Sequence, residues 1–148
     1  MDIKAFLLPS NVWIQAAAPE KSRLLTDLSS KAAAALRLNP DMVADQILRR
    51  EALGSTGIGG GVAMPHARIQ GLETAYGIFV RLSDPIDFKA IDDRPVDLVF
   101  FLLLPGTVKG EQLSALACVA RKLRDPDALR GLRSAADGAA LYDVMVAN

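Results

Sequence analysis

The chain is poor in the residues that most often do chemistry. It has one histidine, one cysteine and one tryptophan in 148 positions, and aromatic residues make up 5% of it. The single cysteine, Cys118, excludes an internal disulfide and fits a reducing compartment. It lies beside an apolar helical stripe and reads as packing. One histidine and one cysteine leave no ligand set for zinc. Net charge is absent as well: 17 basic and 17 acidic residues cancel, so no global field draws the protein to nucleic acid or to an anionic membrane. The longest apolar run, Leu98 to Leu104, has seven residues. A membrane span needs about 20, so no membrane insertion is expected. The apolar start (Ile3, Phe6, Leu7, Leu8) is too short for a signal peptide. With 51% hydrophobic and 23% charged residues, the expectation is one globular, cytoplasmic domain over residues 1–148.

What is present in excess is glycine, and it is concentrated. The stretch Gly54-Ser55-Thr56-Gly57-Ile58-Gly59-Gly60-Gly61-Val62-Ala63-Met64-Pro65-His66 holds five of the eleven glycines and ends on the only histidine. Residues without Cβ reach positive φ at no steric cost, so such a loop can turn successive N–H groups inward as an anion site. Pro65 fixes its own φ and forces Met64 to be extended. The stretch is not a P-loop: Gly54 and Gly59 have the spacing, but Gly60 stands where the lysine belongs. Nor is it a dinucleotide fingerprint, because Val62 or Met64 occupies the third glycine position. No cofactor is expected.

Around this loop the patterns predict alternating strands and helices. Residues 12–18 read as a short strand, and Leu25, Leu28, Ala32, Ala35 and Leu36 place one amphipathic helix over 20–38. Asn39-Pro40-Asp41 begins a second helix that ends at Gly54, with Arg49 and Arg50 in its last turn. Residues 74–82 read as a strand broken by Asp84-Pro85, and 86–95 as a turn-rich connection. Val96 to Leu104 is a nearly unbroken apolar run, as a strand covered on both faces would be. Three helices follow, from Leu113 to Leu123, Pro126 to Ala135 and Asp137 to Val146. The order implies an α/β (α+β) fold with a sheet between two helical layers.

On chemistry alone, His66 has two readings. A neutral imidazole is nucleophilic, and a hydrogen bond to one ring nitrogen leaves the other free to attack a phosphoryl group. The added charge of about −2 needs donors, for which the loop N–H groups of Gly59, Gly60 and Gly61, and the guanidinium of Arg50 or Arg68, are candidates. The other reading is an ordinary loop histidine on a tight glycine turn.

Two blocks of sequence favour the first reading. The run Arg50-Glu51-Ala52-Leu53-Gly54-Ser55-Thr56-Gly57-Ile58-Gly59, continued by Gly61-Val62-Ala63-Met64-Pro65-His66, resembles the signature of phosphotransferase-system enzyme IIA domains of the fructose/mannitol type. It is most similar to their nitrogen-regulatory branch. Pro85-Ile86-Asp87-Phe88 and Pro95-Val96-Asp97-Leu98 match the family's second block, and the resemblance runs from about residue 5 to the end. It implies a three-layer α/β/α sandwich with a mixed sheet, and a His66 that accepts a phosphoryl group from an HPr-like carrier with Arg50 beside it. The family points to the ε nitrogen. It also implies regulation of target proteins by phosphorylation state. The alternatives are a sugar-uptake component passing phosphate to a separate IIB protein, and a binding-only module.

The sequence departs from the family pattern in three places. Gln112 stands where a second histidine is usual, Gly60 where asparagine is, and Ala67 where glycine is. Gln112 keeps hydrogen-bonding capacity but cannot carry positive charge, which weakens the case for efficient onward transfer. Elsewhere, Asp84, Asp87, Asp92, Asp93 and Asp97 read as solvated acidic turns rather than a metal site. Arg121, Lys122, Arg124, Arg130 and Arg133 read as a solvated basic face, with a patch for an acidic partner as the alternative.

Overall fold

A computed structural model describes residues 2–16, 19–106 and 110–148, and the side chains of all of these except 110–113. The strands are β1 (Leu7–Gln15), β2 (Gly57–Gly59), β3 (Val62–Ala63), β4 (His66–Ile69), β5 (Tyr76–Ile86) and β6 (Val96–Pro105). They form one mixed sheet in the order β1-β5-β6-β3-β2, with β4 also on β6. β1 runs parallel to β5, and β3 and β4 run parallel to β6, whereas β5 and β2 are antiparallel to their partners β6 and β3.

The helices are α1 (Lys21–Leu36), α2 (Pro40–Leu53), α3 (Gly110–Lys122), α4 (Pro126–Ser134) and α5 (Gly138–Val146). Leu24, Leu28 and Ala32 of α1, at four-residue spacing, join Val43 and Ile47 of α2 against Ile78, Val80, Val99 and Phe101 on one face of the sheet. The opposite face carries Phe79, Leu98, Phe100 and Leu102, covered by Ala115, Val119, Leu132, Leu141 and Met145 from α3, α4 and α5. The alternation of β6 residues between two cores explains its unbroken apolar run, and the three layers are as the sequence predicts.

Two strand limits differ from the sequence reading. β1 starts at Leu7, earlier than 12, and includes Pro9; it is an edge strand with a register shift between Leu7 and Val12, where a missing N–H is tolerated. β5 does not stop at Asp84-Pro85. It runs past the last β1 partner at Leu82 and rejoins β6 at Ile86 after a register shift, so Pro85 falls in the irregular stretch.

The sheet then sets the position of the histidine. Residues 62–69 follow β6 as one extended course, pairing Val62 with Leu98 and His66 with Leu102. The course is interrupted only at Met64-Pro65, where proline has no N–H to give, although its carbonyl still accepts from Leu102 N at 2.9 Å. α2 packs against β4 from the α1/α2 face. Its start is fixed by Asn39, whose side chain accepts from the Asp41 and Met42 N–H groups at 2.9 and 3.2 Å, with Pro40 in the first turn. The C-terminal end of α2, carrying Arg49, Arg50 and Glu51, is thereby delivered to the strand that carries His66.

Candidate functional site

His66 opens β4 and is half-buried. Its Nδ1 lies 2.8 Å from the carbonyl oxygen of Met64. A carbonyl only accepts, so Nδ1 carries the proton, and in the neutral ring Nε2 holds the lone pair. Burial lowers the pKa of the ring below the ordinary 6.5; the Met64 carbonyl opposes this, the Arg50 charge adds to it, and the Glu51 charge opposes it. Near neutrality the imidazole is uncharged, with one nitrogen committed and the other available.

The ring lines a cleft of about 780 Å³, together with Arg49, Arg50, Leu53, Arg68 and Leu116. Arg50 is half-buried and donates from Nη1 to the Gly54 carbonyl at 2.9 Å, so it is curled over the end of α2. Arg68, two residues along β4, is exposed at the same cleft. Leu53 is 86% exposed, an apolar side chain left in water beside the imidazole. A second concavity of about 540 Å³, near Cys118, Arg121 and Lys122, contains neither the histidine nor a residue of the glycine stretch.

The three adjacent glycines are not brought to His66. Gly59 pairs with Val62, leaving Gly60 and Gly61 as a two-residue hairpin turn between β2 and β3. Their φ values of 68° and 80° are what such a turn needs. The Gly60 N–H donates to Asp92 Oδ2 at 2.9 Å, and the Gly61 carbonyl accepts from Asp97 and Leu98 N–H groups at 3.0 and 3.1 Å. The turn thus sits beside the start of β6, whereas His66 sits beside Leu102, about 13 Å further along at ~3.3 Å per residue. The expectation that Gly59, Gly60 and Gly61 line an anion site at the histidine is corrected: their conformation serves a hairpin. It also accounts for the glycine at position 60, since asparagine and glycine are the residues that enter this region most readily. Ala67 lies in strand backbone, with its side chain buried against the α1/α2 core.

Gln112 falls in the first turn of α3, among the side chains outside those described. The acidic turns have local work. Asp92 accepts from Gly60 and Arg94 N–H groups, Asp87 from Lys89 N–H, and Asp97 forms a fork with Arg133 at 2.9 and 3.0 Å. Among the described residues no group of three or more His, Cys, Asp or Glu is arranged to hold a metal. Part of the basic face is paired within the chain: Arg133 with Asp97 and the Gly60 carbonyl, Arg130 with Asp127, and Lys122 with the Ala147 carbonyl. No described helix is long and apolar enough to cross a membrane.

A residue the sequence reading did not single out, Glu51, has a charge that acts on the histidine. The Glu51 side chain is 6% exposed and pairs with Lys21 Nζ at 2.8 Å. It also accepts from the Thr56 N–H at 3.2 Å and from the Thr56 hydroxyl. The available signal was a carboxylate in the last turn of α2, where the helix dipole disfavours it.

The family model described as "Phosphoenolpyruvate-dependent sugar phosphotransferase system, EIIA 2" matches residues 5–147. The chain is 41% identical over 145 residues to a nitrogen regulatory protein of Bradyrhizobium diazoefficiens, covering 98% of this chain and 95% of that one. It is 44% identical over 126 residues to a nitrogen regulatory protein of Escherichia coli, covering 84% and 77%. The crystal structure of nitrogen regulatory protein IIA-Ntr from Neisseria meningitidis superposes with a TM-score of 0.87 at 31% identity, covering 95% and 96% of the two chains.

Proposed function

The chain belongs to the EIIA type 2 family of the phosphoenolpyruvate-dependent sugar phosphotransferase system, and we propose that it is a cytoplasmic phosphocarrier of the nitrogen-regulatory kind. His66 accepts a phosphoryl group from an HPr-like carrier, and the phosphorylation state of the protein decides which target proteins it binds. The nitrogen regulatory names of its relatives support the regulatory role.

The observation that carries the reading is the bond from His66 Nδ1 to the Met64 carbonyl, on a ring that lines a cleft with Arg50. Nε2 attacks phosphorus, the N–P bond to the donor's histidine breaks, and the electron pair of that bond returns to the donor ring. The proton stays on Nδ1, donated to the Met64 carbonyl throughout, so no proton transfer is required at His66. The product ring is cationic, and Arg50 stands beside the phosphoryl oxygens, where a charge-assisted bond is worth about 1.5–3 kcal/mol. Arg68 supplies a second cation at the rim. A glutamine at position 112 in place of the family's usual histidine brings no positive charge, which fits a protein that holds phosphate as a signal better than one that hands it on quickly.

The test is intact mass after incubation with phosphoenolpyruvate, the first enzyme of the system and its small carrier. The protein gains one phosphate, about 80 Da, and His66→Ala gains none while keeping its fold. No gain in the parent, or a gain that survives the substitution, overturns the reading.

A further inference from the structure

We propose that Glu51 is a positioning residue that selects the acceptor nitrogen of His66, through Thr56 and Met64. This rests on the reading of His66 as the phosphoryl acceptor and adds to it what fixes the ring. The links are all hydrogen bonds, running from the carboxylate to the ring. One carboxylate oxygen of Glu51 takes the Thr56 N–H at 3.2 Å, and the other takes the Thr56 hydroxyl. The Thr56 carbonyl accepts the Met64 N–H at 3.0 Å, and the Met64 carbonyl accepts Nδ1–H of His66 at 2.8 Å.

Glu51 is itself anchored from a third direction. Lys21 of α1 pairs with it at 2.8 Å and donates to the Phe88 carbonyl at 2.9 Å, with the ammonium 4.6 Å from the Phe88 ring centre. Ser55 donates to the same carbonyl at 2.7 Å. The residues preceding the hairpin are therefore held between α1, α2 and the 86–95 connection. Thr56 is 4% exposed, so its bonds to the carboxylate form away from water. A charged carboxylate at the unfavoured end of a helix, nearly buried, is retained because it sets the position of Thr56.

The consequence for chemistry is a choice between nitrogens. Free neutral imidazole favours the proton on Nε2, the tautomer that cannot attack from that atom. Holding the Met64 carbonyl against Nδ1 reverses that preference. Releasing Thr56 removes the register that keeps the carbonyl there, and the ring returns toward the unproductive tautomer.

With one histidine in the chain, ring ¹⁵N NMR of the unphosphorylated protein reads the tautomer without overlap. The parent shows Nδ1–H. Glu51→Gln and, separately, Thr56→Val show mixed tautomers and accept phosphoryl at least about tenfold more slowly, a change equal to ~1.4 kcal/mol. Asn39→Ala, which removes the cap at the far end of α2, lowers stability and leaves the tautomer alone; this separates positioning from general loosening. If Glu51→Gln does not fold, Thr56→Val and Lys21→Met carry the same test. Variants that keep Nδ1–H and react within twofold of the parent overturn the inference while the acceptor role stands. A parent that takes no phosphate overturns the acceptor role, and the tautomer measurement still decides the positioning claim.

Discussion

At the level of single residues, the proposed chemistry turns on an imidazole kept neutral and kept in one tautomer. Burial and the Arg50 charge favour the uncharged ring. Between its lowered folded pKa and the ordinary 6.5, the unfolded chain binds more protons than the native one, so stability rises with pH through that window and falls as pH drops through it. Phosphoryl acceptance follows the same direction. Its rate is flat around neutrality and declines only below the free-imidazole value of 6.5, which a pH series of initial rates checks; a midpoint above 6.5 contradicts the lowered pKa. The meeting of His66, Arg50 and Arg68 at one cleft was legible in the sequence because they sit within one short stretch or on the helix just before it. Glu51 was not. Its partners Lys21 and Thr56 lie on α1 and in the loop after α2, and Lys21 is tied in turn to Phe88 in the connection between β5 and β6. No local pattern marks such a set, apart from a carboxylate on the wrong end of a helix.

At the level of elements, the glycine stretch shows where composition misleads. Glycine density was read as an inward-turned anion loop, but the chain uses it for a tight hairpin whose strands are three and two residues long, too short to display an alternating pattern. Gly60 and Gly61 separate the two uses by their surroundings. A Cβ at Gly60 meets nothing within 4 Å, whereas one at Gly61 meets Arg133 Nη2 at 2.6 Å and Asp97 Oδ1 at 2.9 Å. Gly60→Asn therefore changes stability by only a few tenths of a kcal/mol. Gly61→Ala costs about 1–2 kcal/mol from φ alone, with the clash added. Chemical denaturation of the two variants measures the difference, and equal losses contradict it. Helix limits were more legible. Asn39-Pro40 and Asp125-Pro126 are caps followed by a first-turn proline, and the structure uses both that way.

At the scale of the whole molecule, two cores clamp the sheet and leave the His66 cleft open at the end of α2. Leu53, 86% exposed, stands at that opening with Arg49 and Arg68, a surface suited to a partner with an apolar contact and an acidic surround. Leu53→Glu removes little packing, so its thermal midpoint stays close to the parent's, while the second-order rate of phosphorylation by the carrier falls about tenfold, equal to ~1.4 kcal/mol; an unchanged rate places the docking elsewhere. The three-layer order was readable because β6 is apolar on both faces and the helices carry clear stripes. The Asp97–Arg133 clamp was not, since it joins positions 36 residues apart. The proposed phosphoryl acceptance joins these parts at one ring nitrogen of His66. The most direct measurement is a ³¹P–¹⁵N correlation on the phosphorylated, ring-labelled protein. The structure predicts phosphorus on Nε2 of His66 with the proton retained on Nδ1, and phosphorus on Nδ1 or on any other residue contradicts it.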